Sequence, residues 1–374
     1  MNKVINSSLL EGFNKDTQPL RGLPGSAYTS EEFRKLENLQ IFSKKWVFVG
    51  FAHQIPKTGD ASPITVADQP ILLIRNKKNE VNAFHNVCRH RNLQLVDKPS
   101  NCGRMIRCPY HSWTYDLEGQ LRGTPYFGGD ATAPVEGFDM QDNNLLTVNC
   151  EVWHDWIFVN LDKNPEPFDD FLTPIKTVLS DTDISQYKPI AILEFGEVAC
   201  NWKLLMENFI EPYHVQFVHN DTTAQPLQDH YPVIEETCLG SAVDLSEEQV
   251  ANADEGTLGV TSRYLTLFPN FVMGTYQPDK LGIHLNIPVN AETTIQYRVI
   301  YAHQDSSYSP EEIDQLKTLW HSVHLEDHEM TERLQKGRHS KIAEQGGLLS
   351  PHWETSVRKF QELIAKSISP ALKD

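Results

Sequence analysis

The sequence predicts an α+β protein in which a small all-β domain is inserted into a larger domain built on an antiparallel sheet. Three stretches predict it. Residues 30–46 carry a helical pattern, and residues 46 to about 161 switch to short β runs broken by turns. Residues 261–303 then alternate as strands ahead of a long helical stretch from about Pro310 to Gly337. A length of 374 residues suits about two domains. The boundaries read as 1–45 for an N-terminal helical segment of the larger domain, 46–162 for the insert, and 163–374 for the remainder.

Each element has a local reason. Ser30 can cap the first helix, Glu31 and Glu32 fill its first turn, and Phe33, Leu36, Leu39, Ile41 and Phe42 are its apolar positions. The insert carries the β-rich runs Val47-Phe48-Val49, Ile71-Leu72-Leu73-Ile74, Val81-Asn82-Ala83-Phe84 and Trp156-Ile157-Phe158-Val159. Asp116-Leu117-Glu118-Gly119 reads as a hairpin turn. Lys163-Asn164-Pro165-Glu166-Pro167 is a proline-bearing junction, followed by a helix over Phe168 to Leu179 and a strand over Ala191 to Ala199. A helix around Trp202 to His219 comes next, and a last one runs from about Trp353 to Ser367. The polar, acidic stretch 220–260, with Ser246-Glu247-Glu248 and Asp254-Glu255-Gly256, reads as a mobile loop or lid.

Composition excludes some functions. Hydrophobic residues at 40% and aromatic residues at 10% are ample for packed cores. A net charge of −17 and a pI near 5.3 argue against nucleic acid or an anionic membrane surface as partner. The same field tolerates a cationic substrate or a basic redox partner. Met1 to Leu20 holds no apolar core of signal-peptide length, and no run of eighteen apolar residues occurs, so a soluble cytoplasmic protein is expected. Four of the six cysteines, Cys102, Cys150, Cys200 and Cys238, are scattered as reduced thiols would be.

The other two belong to the motif that carries the chemistry. Cys88-Arg89-His90 and, seventeen residues on, Cys108-Pro109-Tyr110-His111 each supply one thiolate and one imidazole. Two cysteines and two histidines can hold a [2Fe–2S] cluster with a Cys₂ shell on one iron and a His₂ shell on the other, the Rieske arrangement. The alternative is a structural Cys₂His₂ zinc site, but zinc usually pairs like ligand with like, Cys-x₂₋₄-Cys followed by His-x₃₋₅-His. Here each half mixes the two. Asn86-Val87-Cys88-Arg89-His90-Arg91 and Cys108-Pro109-Tyr110-His111-Ser112-Trp113 resemble the two ligand loops of the Rieske non-haem iron oxygenases. Ser112 is one departure, at a position where that family most often has glycine.

A second constellation lies in Glu211-Pro212-Tyr213-His214 and on to His219. Three residues apart on a helix means one face, so Glu211 and His214 are neighbours. His219 joins them only if the helix loosens, and Pro212 disturbs it already. Two histidines and a distant carboxylate make the 2-His-1-carboxylate triad, which leaves positions open for oxygen on non-haem Fe(II). The block Asn201-Trp202-Lys203 through Glu207-Asn208-Phe209 to His219 resembles the mononuclear iron block of the same oxygenases. Leu325-Glu326-Asp327-His328-Glu329 resembles the family's carboxylate segment and points to Asp327 as third ligand, with Glu326 and Glu329 as alternatives or as a solvated acidic face.

The resemblance spans most of residues 30–340. It implies a helix-grip catalytic domain with a Rieske domain inserted, and a terminal oxygenase holding a [2Fe–2S] cluster on Cys88, His90, Cys108 and His111. It also implies a mononuclear Fe(II) on His214, His219 and Asp327. No G-x-G-x-x-G follows a strand, so the chain is expected to bind neither NAD(P)H nor flavin. Electrons would come from an NAD(P)H-dependent flavin/iron–sulfur reductase and cross to the iron of the adjacent subunit of a ring, usually a trimer. Glu211 stands where most ring-hydroxylating members have Asp, and would bridge the iron region to His111 of a neighbouring subunit. Glu there looks like the branch acting on quaternary ammonium compounds, the carnitine and glycine-betaine monooxygenases. The expected reaction is hydroxylation of a betaine N-methyl group. Aromatic hydroxylation or O-demethylation is the alternative within the family, and a non-catalytic electron carrier the alternative outside it. Phe268, Phe271 and Tyr276 either cradle a trimethylammonium by cation–π contact or are simply core.

Overall fold

A β-rich middle separates two stretches that fold together. The computed structural model describes residues 10–14, 19–131, 133–219, 222, 227–244, 261–276 and 279–372. The chain divides into one unit over Phe42–Phe168 and a second built from Met1–Ile41 with Asp169–Asp374. The boundaries read from sequence, 46 and 162, fall a few residues inside the first unit. Among the described residues no helix is long and apolar enough to cross a membrane.

The inserted unit is all-antiparallel. Its strands are β1 (Val47–Phe51), β2 (Asp60–Val66), β3 (Gln69–Arg75), β4 (Val81–His85), β5 (Ser100–Asn101), β6 (Met105–Arg107), β7 (Thr114–Asp116), β8 (Leu121–Gly123), β9 (Thr147–Trp153) and β10 (Trp156–Asn160). Seven of them form a sheet in the order β1-β10-β9-β4-β3-β2-β5, and β6-β7-β8 form a second, small sheet. Asp116 makes the β7–β8 turn: its carboxylate accepts the Glu118 and Gln120 amides at 3.0 and 2.9 Å. The core between the sheets gathers Leu72, Phe84, Trp113 and Tyr115 around Cys88 and Cys108. The ligand loops thus grow directly out of packed structure.

The larger unit is a seven-stranded antiparallel sheet gripping a long helix. It contains β11 (Tyr187–Val198), β12 (His230–Glu235), β13 (Cys238–Asp244), β14 (Thr261–Leu267), β15 (Phe271–Tyr276), β16 (Lys280–Asn290) and β17 (Thr293–His303). Their order is β11-β17-β16-β15-β14-β13-β12. The helices are α1 (Ser26–Thr29), α2 (Glu31–Glu37), α3 (Phe168–Val178), α4 (Trp202–Ile210), α5 (Val215–Val218), α6 (Pro310–Arg338) and α7 (Thr355–Ile368). Helix α6 starts at a capping box, Ser309 with Glu312, and has Pro310 in its first turn. It packs against β11 and α4, while α7 covers β12 and β13.

Two expectations change. The helix foreseen over Trp202 to His219 is two helices, because Glu211 is extended at φ −117° and ψ 139°. Proline's ring disfavours the α region for the residue before it, and Pro212 follows. The stretch 220–260, expected to be a mobile loop or lid, contains strands β12 and β13. Strand β13 is buried from Cys238 to Val243 because it lies under α7, a tertiary covering that polar composition cannot reveal. Residues 245–260, including both acidic clusters, lie outside the described residues.

Candidate metal centres

The two cysteine loops are built alike. Cys88 N–H donates to Leu93 O at 2.8 Å and Asn92 N–H to Cys88 O at 3.0 Å; Cys108 N–H donates to Trp113 O at 2.8 Å and Ser112 N–H to Cys108 O at 3.0 Å. In each loop the fourth residue after the cysteine is left-handed, Asn92 at φ 59° and Ser112 at φ 57°. Asparagine tolerates that region, whereas a serine there costs roughly 1–2 kcal/mol. The backbone therefore supplies the reason that glycine is usual at the Ser112 position in the resembling loops.

The loops bring four ligand side chains together. Cys88 and Cys108 are buried, and the His90 and His111 rings lie 4.5 Å apart between centroids. His90 is stacked on Trp113 at 4.9 Å, which fixes the ring plane. Burial, then the neighbouring His111, lowers the basicity of His90 and keeps its ring neutral. Its Nδ1 is buried without a hydrogen-bond partner, the condition of an atom that serves as a ligand. The residues present fit a Rieske cluster. Tyr115 adds a contact that the sequence did not announce: its hydroxyl lies 3.4 Å from Cys88 Sγ and accepts the Arg89 amide at 3.0 Å.

The second centre forms where α4 breaks. The extended Glu211 turns its carboxylate back: Oε2 accepts the Tyr213 and His214 amides, and Oε1 meets His214 Nδ1 at 2.6 Å. One turn of helix, α5, then carries the chain to His219. From α6, Glu326 Oε2 meets His219 Nδ1 at 2.7 Å and accepts the Thr222 hydroxyl at 2.8 Å. Both Nδ1 atoms are thereby held by carboxylates, and both Nε2 atoms face Asp327. Oδ1 of Asp327 lies 3.5 Å from His214 Nε2 and 3.1 Å from His219 Nε2, and Asn208 Nδ2 donates to it at 3.2 Å. Ligand atoms of His214, His219 and Asp327 lie within 4.8 Å of one another. Two imidazoles with their far nitrogens pinned by carboxylates, plus the Asp327 carboxylate, suit a non-haem iron.

The electrostatics follow from this arrangement. Burial would depress His214, but Glu211 and then Asp327 outweigh it and raise the ring to about 9. Burial would likewise raise Asp327; the two histidines and Asn208 hold it below its ordinary value. Glu329 points elsewhere, pairing with Arg333 at 3.3 Å on the exposed face.

A pocket opens beside the triad, lined among others by Phe209, His230, Tyr264, Tyr276, Arg298 and Trp320. Of the three aromatic residues considered for a cation cradle, only Tyr276 lines it. Phe268 and Phe271 are buried outside it, Phe268 against Phe360 at 5.9 Å. Phe209 and Tyr264, whose ring centroids are 5.9 Å apart, also line it. Period-2 alternation in β14 was the available signal for Tyr264; Phe209 lies within the block that resembles the mononuclear iron block.

Comparison with known proteins finds the two domain types that carry such centres. Residues 45–138 match the Rieske [2Fe–2S] domain, and residues 182–369, half the chain, match the ring hydroxylating alpha subunit (catalytic domain). The chain is 27% identical to the glycine betaine monooxygenase oxygenase subunit of Pseudomonas aeruginosa, over 90% of this chain and 87% of that one. It is 25% identical to the carnitine monooxygenase oxygenase subunit of Acinetobacter pittii, over 92% and 94%. Its fold superimposes on the crystal structure of the quaternary ammonium Rieske monooxygenase CntA with a TM-score of 0.81 at 23% identity, covering 98% of this chain and 99% of that one. The chain therefore belongs to the ring-hydroxylating alpha-subunit family of Rieske oxygenases, enzymes that combine a [2Fe–2S] domain with a mononuclear iron domain.

Proposed function

We propose that this chain is the terminal oxygenase of a reductase-dependent system that hydroxylates an N-methyl group of a betaine-like quaternary amine. Cys88, His90, Cys108 and His111 hold the cluster, and His214, His219 and Asp327 hold the iron. The observation that carries the substrate class is Glu211. It takes the place of the Asp usual in ring-hydroxylating members, and its Oε1 lies 2.6 Å from His214 Nδ1. The full-length relatives named for glycine betaine and carnitine support the same class.

Iron held by His214, His219 and Asp327 would supply oxygen activation, and a cluster held by Cys88, His90, Cys108 and His111 would supply the reductase's electrons. This chain's own side chains do the rest. Glu211 and Glu326 fix the two imidazoles, and Asn208 orients Asp327. The faces of Phe209 and Tyr264 offer a trimethylammonium group the cation–π surface it prefers. In the overall reaction one O₂, two electrons and two protons yield one hydroxymethyl group and one water. The C–N bond of the N-hydroxymethyl product then breaks: nitrogen keeps the bonding pair, the hydroxyl proton leaves, and formaldehyde departs. A head-to-tail trimer with Glu211 reaching His111 of a neighbouring copy, working in the cytoplasm, completes the proposal.

The test is a panel of betaines offered to purified oxygenase with a surrogate reductase, reading formaldehyde and oxygen uptake together. Formaldehyde in step with oxygen use is expected. No formaldehyde from any betaine, with a hydroxylated product from aromatic acids, overturns the proposal in favour of ring hydroxylation.

A further inference from the structure

Arg298, on β17, is buried to 2% exposure in the wall of the pocket that His214, His219 and Asp327 also line. A buried guanidinium normally has a carboxylate partner. Among the described residues Arg298 has no ion pair, and its Nε and Nη2 have no hydrogen-bond partner. Nη1 lies 3.3 Å from His324 Nε2, and the uncharged Tyr276 hydroxyl is the other polar group beside the guanidinium. Burial holds the Tyr276 phenol above its ordinary range, so this neighbour stays neutral and offers no counter-charge.

The fold keeps this cation in place. Its Cζ lies 3.5 Å from the centroid of the Trp320 ring and 5.4 Å from that of Tyr276. Gly274 and Gly282 face each other on β15 and β16. A Cβ on Gly282 would come within 2.5 Å of Arg298 Nη2, and one on Gly274 within 2.3 Å of the Tyr276 hydroxyl. A side chain is thus omitted at Gly282 where the guanidinium lies, and another at Gly274 where the Tyr276 hydroxyl lies. A purely structural role gives no reason for this, since well-packed apolar residues fill such space at least as stably.

We propose that Arg298 is the anion anchor of the substrate pocket and takes the carboxylate of a zwitterionic substrate. Nε and Nη2, the two unpartnered atoms, form the side-on fork of the guanidinium, which matches both oxygens of one planar carboxylate. Trp320, on which the fork is stacked, and Asp327 lie seven residues apart on α6, roughly 10 Å along its axis. The anion site is therefore beside the iron triad in the same pocket, near enough for the Asp327 charge to act on Arg298. A carboxylate on Arg298 directs the trimethylammonium end of the same molecule toward the triad. A cation lacking an acid group leaves the fork empty and is repelled by it. The orientation rests on the betaine reading above; the anion anchor itself does not.

The test uses the loaded enzyme without reductase and measures Kd by calorimetry. Glycine betaine, γ-butyrobetaine and salicylate are each compared with the corresponding primary amide. At least one acid should bind wild type 10- to 100-fold more tightly than its amide, as loss of a charged, bidentate contact implies. Arg298→Gln should abolish that preference, and Arg298→Lys should retain part of it. If Arg298→Gln fails to fold, the acid–amide comparison on wild type decides. Equal affinity of acid and amide, no binding by any acid, or a preference that survives Arg298→Gln overturns the assignment. Binding of salicylate over salicylamide with no binding of either betaine leaves the anchor standing and removes the betaine reading.

Discussion

Glu326 holds the far side of the ring that faces Asp327: its Oε2 lies 2.7 Å from His219 Nδ1, while Asp327 Oδ1 lies 3.1 Å from Nε2 of the same imidazole. Adjacent residues of one helix thus grip one histidine from both nitrogens. Carboxylates that orient a ligand histidine typically contribute 10- to 100-fold to metal affinity. Glu326→Ala should lose about that much affinity for Fe(II), measured as iron retained against a chelator series, with Cys88 and Cys108 still holding the cluster. Retention equal to wild type would show that Glu326 is only a surface acid.

Tyr115 should tune the cluster. Its hydroxyl oxygen already accepts the Arg89 amide, which leaves its own proton free to donate to Cys88 Sγ at 3.4 Å. Such a bond favours the reduced, more negative cluster. With a net hydrogen bond of about 1 kcal/mol, Tyr115→Phe should lower the one-electron potential by about 40 mV. A redox titration followed in the visible band checks it, and an unchanged potential removes the hydroxyl from any role in tuning.

What could be read in the sequence was what chain spacing sets. Cys88 and His90, or Cys108 and His111, are close because they are two or three residues apart, so their chemistry is visible locally. Glu326 had the same local appearance as any acid on an exposed helix face. Its role arises only because α6 is brought against His219, 107 residues away. Thr294, Gln296 and Arg298 were visible as one face of a strand. Their exposures of 0, 3 and 2% show that this polar face is the inward one, and Arg298 carries it into the pocket wall. The β12–β13 hairpin was hidden for the converse reason. Its acidic neighbourhood looked solvated, and β13 is buried where α7 packs against it.

Lys203 and Glu37 should prove a joint requirement of the fold. Nζ lies 2.7 Å from Glu37 Oε1, both side chains are fully buried, and Trp202 Nε1 donates to the other carboxylate oxygen at 3.3 Å. The pair ties α4 to α2. Removing one partner strands a buried charge, which typically costs 3–5 kcal/mol, whereas replacing both with apolar groups is often near neutral. Lys203→Met should therefore lower stability by about 4 kcal/mol in urea unfolding, and the double variant Lys203→Met with Glu37→Leu should recover most of it. A double variant as unstable as the single one would mean that packing of the lysine stem, not its charge, matters.

His230 should make stability depend on pH between neutrality and weak acid. It is 5% exposed, starts β12, packs near Tyr264 at 6.1 Å, and has no hydrogen bond at either ring nitrogen. Burial drives the ring down to about 4; Asp229 opposes the shift and His214 adds to it. The unfolded chain takes up this proton near pH 6.5, whereas the folded chain resists until about pH 4. Between those values the unfolded state binds more protons, so stability falls as pH falls, and the loss levels off once the folded ring is also charged. The upper bound is about 3 kcal/mol, at 1.36 kcal/mol per pKa unit. Denaturant midpoints at pH 7.5, 6, 5 and 4.5 should converge between wild type and His230→Asn as the pH drops, because the variant lacks the group that is penalised. A gap between the two proteins that stays constant across that range would show that the ring is protonated, or hydrated, in the folded state.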